Sequence, residues 1–114
     1  MRTKLVTLLG KEYWLAFSAQ SQMNVEAMKR QEGYNPADYG AETVFTLLDE
    51  ELRAGYRWAV LNEMQPQNKP PRKEDLADLL DIYEVQKMLP DIMAVMAGDR
   101  NVVAKPPKKG QARG

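Results

Sequence analysis

The residues best equipped for chemistry in this chain are carboxylates. They stand in two runs, Asp49-Glu50-Glu51 and Glu74-Asp75 followed by Asp78 and Asp81. Paired carboxylates serve as general acid and base or hold a divalent cation. What surrounds them narrows those options. The chain has no histidine and no cysteine. The commonest proton shuttle and the commonest metal ligand are therefore missing, as are the ligands of a structural zinc site. Ser-His-Asp and Cys-His nucleophile systems are excluded outright. Asp75, Asp78 and Asp81 lack the central glycine and terminal glutamate of a calcium loop. An enzyme would have to work with carboxylates and lysines alone. The plainer reading of both runs is helix-start charge on a solvated face. No catalytic residue, cofactor or metal site is assigned, so function has to be sought in binding.

The residues that suit binding are apolar and adaptable. Met88, Met93 and Met96 lie on the last apolar segment, where Met88 and Val95 widen the stripe beyond what one packing partner needs. Wide methionine-rich faces suit promiscuous protein contacts, although methionine also serves as ordinary core filler. Trp14 adds a second candidate surface, on a strand whose two faces are both apolar. Aromatics beside cations can bind nucleic acid, but only Arg57 accompanies them here. Candidate protein-binding residues are accordingly Trp14, Met88, Val95 and Met96.

These residues are carried by a mainly α chain. Residues 4–9 and 12–17 read as two strands flanking Gly10-Lys11, a two-residue loop with glycine first, as in a type II′ turn. A lone hairpin is marginal in water, so this one must pack on helices or on another sheet edge. Ser18 is a good N-cap for a helix to about residue 31, with Gly33 as its stop. The strongest helix spans about 41–64, with Val44, Leu47, Leu48, Leu52, Gly55, Trp58 and Ala59 on one face. Asp49 and Arg53 form an i,i+4 pair on its outer side. Pro66, Pro70 and Pro71 mark a connecting loop. A short helix restarts near 72–75 with Leu76, Leu79 and Leu80 on one face, and Asp81 ends it and caps the next. The last stripe is Ile82, Val85, Leu89, Ile92, Met93 and Met96. Pro90 interrupts it, giving a kink, a break or the first turn of a new helix. Gly98 closes the segment.

Chain length fits one domain, with 1–98 as the helical body and 99–114 as a flexible basic tail. The tail carries Arg100, Lys105, Lys108, Lys109 and Arg113 against Asp99, a net +4; the whole chain is neutral, so 1–98 carries −4. No apolar run reaches the ~18 residues of a membrane span, and the N-terminal stretch lacks a signal-peptide cleavage site. The absence of cysteine fits a reducing compartment.

The order of elements resembles a known family. The first strand, then Gly10-Lys11-Glu12-Tyr13-Trp14-Leu15-Ala16-Phe17, then the helix opened by Ser18, are similar to the start of the tail assembly chaperones of long-tailed bacteriophages. The likeness continues through Leu47-Leu48 and Trp58 to the acidic, leucine-rich segment from Lys73 to Asp81, covering about 4–97. Pro90 and the 34–40 loop depart from it. The resemblance implies a small helical domain with an N-terminal hairpin, active in the host cytoplasm and absent from the mature virion. Its implied partner is the tape measure protein, kept soluble while tail tube subunits polymerise around it. The family also implies a frameshifted long form that recruits tube protein. Pro107-Lys108-Lys109 is compatible with a slippery coding heptamer, and this chain is then the short form, with 110–114 read only without slippage. The hairpin edge and the wide helix face leave room for a homo-oligomer. Two other classes compete: a structural tail or connector adaptor, and a small nucleic-acid-binding regulator using the tail. The acidic body argues against the latter.

Overall fold

The computed structural model describes residues 1–32 and 40–98. Two strands, β1 (Thr3–Leu8) and β2 (Lys11–Ala16), form an antiparallel hairpin. Five helices follow: α1 (Ala19–Glu32), α2 (Ala41–Leu61), α3 (Lys73–Leu79), α4 (Ile82–Gln86) and α5 (Leu89–Ala97). The protein is mainly helical with an N-terminal hairpin, as its sequence pattern implies. The Gly33 stop, the 34–39 part of the loop and the 99–114 tail, with Pro107, Lys108 and Lys109, lie outside the described residues.

The hairpin turns one residue earlier than expected. Leu8 pairs with Lys11, so the loop is Leu9-Gly10. Both loop residues take positive φ, 52° and 79°, as in a type I′ turn rather than a II′ turn. Glycine tolerates that conformation and leucine pays strain for it. Val6, Leu8, Tyr13 and Leu15 share one face and are all buried.

α2 is the spine of the fold. It packs on β2 most extensively and also meets α1, α3, α4 and α5. Surrounded in this way, it is buried at every residue from Thr43 to Leu52 and again at Ala54, Gly55 and Ala59. The expected apolar face is present, with Trp58 half-buried. The acidic run corrects the sequence reading: Asp49, Glu50 and Glu51 are buried, not solvated. Arg53 does bridge Asp49 at 2.9 Å, but only the arginine faces solvent. The helix stops at Leu61, three residues short of expectation. Asn62 donates from its side chain to the Trp58 carbonyl at 2.8 Å, and Glu63 swings to φ 54°.

The capping and proline signals act at the positions their stereochemistry implies. Ser18 Oγ accepts from the Ser21 backbone N–H at 3.1 Å, while Ser21 Oγ accepts from Ser18 N–H at 3.2 Å, closing the start of α1. Asp81 opens α4 with a capping box completed by Glu84, an arrangement that satisfies two otherwise orphaned backbone donors. Pro90 sits in the first turn of α5, so the apolar stripe breaks into two helices instead of kinking. Leu76 and Leu80 are buried, but Leu79 is 60% exposed; the 79–80 junction leaves helical geometry at Leu80, whose ψ is 139°. The core joins the hairpin face to Val44, Leu47, Leu48 and Leu52 of α2, Leu76, Val85, Ile92 and Val95.

Candidate interaction surfaces

Trp14 sits where the hairpin meets α2. In an antiparallel pair only alternate residues exchange backbone bonds with the partner strand. Glu12 and Trp14 belong to the alternate set whose carbonyls face outward from β1. Asn68 Nδ2 donates to the Glu12 carbonyl at 2.8 Å. The Trp14 carbonyl lies against Gly55, where an added Cβ would fall 1.9 Å from the oxygen. A glycine is therefore required for this close approach. The Trp14 ring meets Trp58 edge-to-face, with centroids 5.2 Å apart. Trp14 is thus half-buried by packing within the fold.

One turn before Gly55, Glu51 is fully buried. Among the described residues neither of its carboxyl oxygens has a hydrogen-bond partner, and the same holds for Trp14 Nε1. Burial pushes the Glu51 carboxyl up to about 9, so it is a neutral acid at physiological pH. Its neighbours in sequence differ. Glu50 accepts from Asn24 Nδ2 at 3.0 Å and from Arg53 at 3.4 Å. Asp49 is also raised by burial, with Arg53 opposing the shift.

The methionine face divides. Val95, expected at its edge, is buried in the core and offers no surface. Met88 and Met96 are half-buried against the core, as are Ile82 and Leu89. Met93 is half-buried too. Met96 also lines a hollow of about 280 Å³ with Phe17, Ser18, Ala19, Gln22, Ala97 and Gly98. Beside these residues in sequence, Leu79 and Tyr83 are exposed at 60% and 71%. The α3–α5 arm consequently shows apolar surface, carried at the α3–α4 junction as much as by α5.

A second surface was missed by sequence reasoning. A groove of about 540 Å³ runs between the C-terminal half of α2 and the proline-rich loop leading into α3. Arg53, Arg57, Lys69, Arg72 and Lys73 line it, together with Tyr56, Pro70, Pro71, Asp49 and Glu74. The signal was available: Arg53 and Arg57 stand at i,i+4, and Lys69-Pro70-Pro71-Arg72-Lys73 is locally basic. The net acidity of the body concealed it. Lys73 is engaged by Glu42 of α2, and that contact holds the Glu42 carboxyl below its ordinary value.

Among the described residues no group of His, Cys, Asp or Glu side chains is placed to hold a metal ion, and no helix is long and apolar enough to cross a membrane. No family model, no curated protein and no solved structure matches the chain.

Proposed function

We propose that this protein is an assembly chaperone that acts by binding rather than catalysis. Its proposed client is the tape measure protein of a long-tailed phage, held soluble in the host cytoplasm while tail tube forms. The observation that carries the reading is the apolar exposure of the α3–α5 arm. Leu79 and Tyr83 stand out from it, and Ile82, Met88, Leu89, Met93 and Met96 are only half covered. Flexible thioethers adapt to varied apolar partners, and a client of long amphipathic helices presents such a partner repeatedly. The hairpin–helix order supports the same reading through the family resemblance noted above.

The test is co-expression with the tape measure protein of the same gene cluster, followed by pull-down and a solubility assay. A soluble, co-purifying client is the expected result. Leu79→Gln with Tyr83→Gln, both at exposed positions, should leave the fold intact and reduce recovery of the complex. An insoluble client with no complex would refute the chaperone reading. Presence of the chain in purified virions would replace it with that of a structural adaptor.

A further inference from the structure

We propose that the groove between α2 and the 62–72 loop is a binding site for an acidic peptide segment. The inference rests on the groove alone and is independent of the chaperone reading.

The five cations of the groove are not equivalent. Arg53 is held by Asp49 at 2.9 Å and Glu50 at 3.4 Å. Lys73 is held by Glu42, and Arg72 lies 3.9 Å from Asp75. Arg57 and Lys69 have no carboxylate partner among the described residues. The sequence explains why. Arg57 has Arg53 at i−4, Ala54 at i−3, Val60 at i+3 and Leu61 at i+4, so helical spacing gives it no acid. It gives it instead a like charge one turn away, an arrangement unfavourable on its own. Lys69 stands between Asn68 and a rigid Pro70-Pro71 wall. Two unpartnered cations therefore face one cavity, next to the half-buried Tyr56. An anion in the groove would relieve the repulsion, and the Arg57 guanidinium is shaped for a bidentate carboxylate.

The groove selects among anions. Asp49 and Glu74 also line it. A DNA backbone brings acceptors alone, and the phosphates of either nucleic acid would meet these carboxylates unfavourably. An acidic peptide brings side-chain carboxylates for Arg57 and Lys69 and backbone N–H donors for Asp49 and Glu74. Its aliphatic stems can lie on Tyr56, Pro70 and Pro71. The volume is within the usual ~300–1,000 Å³ of ligand sites, enough for a few side chains of one extended segment.

The experiment is fluorescence anisotropy of a labelled glutamate-rich decapeptide titrated with the full chain at low salt. Arg57→Glu with Lys69→Glu should weaken binding by about tenfold or more. Both residues are exposed, and an unchanged thermal melt will establish that the variant is folded. The milder Arg57→Gln with Lys69→Gln serves if it is not. Raising the salt should weaken the wild-type complex. Absence of binding at low salt, or equal binding by the variants, overturns the proposal. So does tighter binding of a labelled oligothymidylate lost in the same variants, which would make the groove a nucleic-acid site. Displacement of the peptide by millimolar inorganic phosphate also overturns it, by showing a site for bare anions.

Discussion

Replacing Glu51 by glutamine should flatten the dependence of stability on pH. In the folded protein this carboxyl is buried without a partner and titrates near 9, against 4.5 for an ordinary glutamate. Below pH 4.5 both the folded and unfolded states carry the proton. Above it the unfolded chain ionises and the folded protein does not, so unfolding releases a proton and stability falls as pH rises. The loss continues until the folded carboxyl itself ionises near 9. Each unit inside that window costs about 1.4 kcal/mol, so from pH 5 to pH 8 the loss is on the order of 4 kcal/mol, an upper figure because local opening admits water. Even a quarter of it would lower Tm by ~4–8 °C in a domain of this size. Glu51→Gln keeps the shape and removes the titration. Urea unfolding followed by the fluorescence of Trp14 and Trp58 should show wild type losing stability from pH 5 to pH 8 while the variant changes much less. Parallel pH profiles would refute the reasoning.

Gly55→Ala should destabilise the protein by about 3 kcal/mol or more, because the new methyl collides with backbone that cannot rotate away; an unchanged urea midpoint would show that β2 and α2 can slide apart freely. Trp58→Ala should cost about 2–3 kcal/mol, below the ~3–5 of a fully buried aromatic, with part of the loss being the edge-to-face contact with Trp14. An unaltered melt would place Trp58 outside the folding energetics. Asp81→Ala should cost about 0.5–2 kcal/mol through loss of the cap, read as a lower Tm with native helix content retained; no change would mean that packing of Val85 alone holds α4.

The elements marked by stereochemistry were legible in advance. Ser18, Asp81, Pro90 and Gly98 act through their own backbone bonds, or their lack of them, within a turn or so of chain. The hairpin register was less legible for a definite reason. Turning at Leu9-Gly10 or at Gly10-Lys11 puts Val6, Leu8, Tyr13 and Leu15 on the same face, so the apolar pattern cannot separate the two registers. The burial of Asp49-Glu50-Glu51 was illegible because it depends on what encloses α2, and α5 and the hairpin are distant in sequence. The apolar stripe on α5 was read too wide, since Val95 turns into the core. The groove went unread for the opposite reason: its charges are local, but they are brought to one cavity by the fold of a proline loop back onto a helix.

The meeting of Trp14 with Gly55 has a consequence for synthesis. The hairpin is complete at Ala16, yet its docking partner is some forty residues downstream. At ~5–20 residues per second, Gly55 is added about 2–8 s after Trp14, whereas a hairpin closes in about 1–10 µs. For those seconds the strand pair, marginal in water without a helix along its outer edge, closes and reopens with Tyr13, Trp14 and Leu15 uncovered. The interval when this protein is most open to strand pairing with a neighbouring nascent chain is therefore set by the distance in sequence between one tryptophan and one glycine.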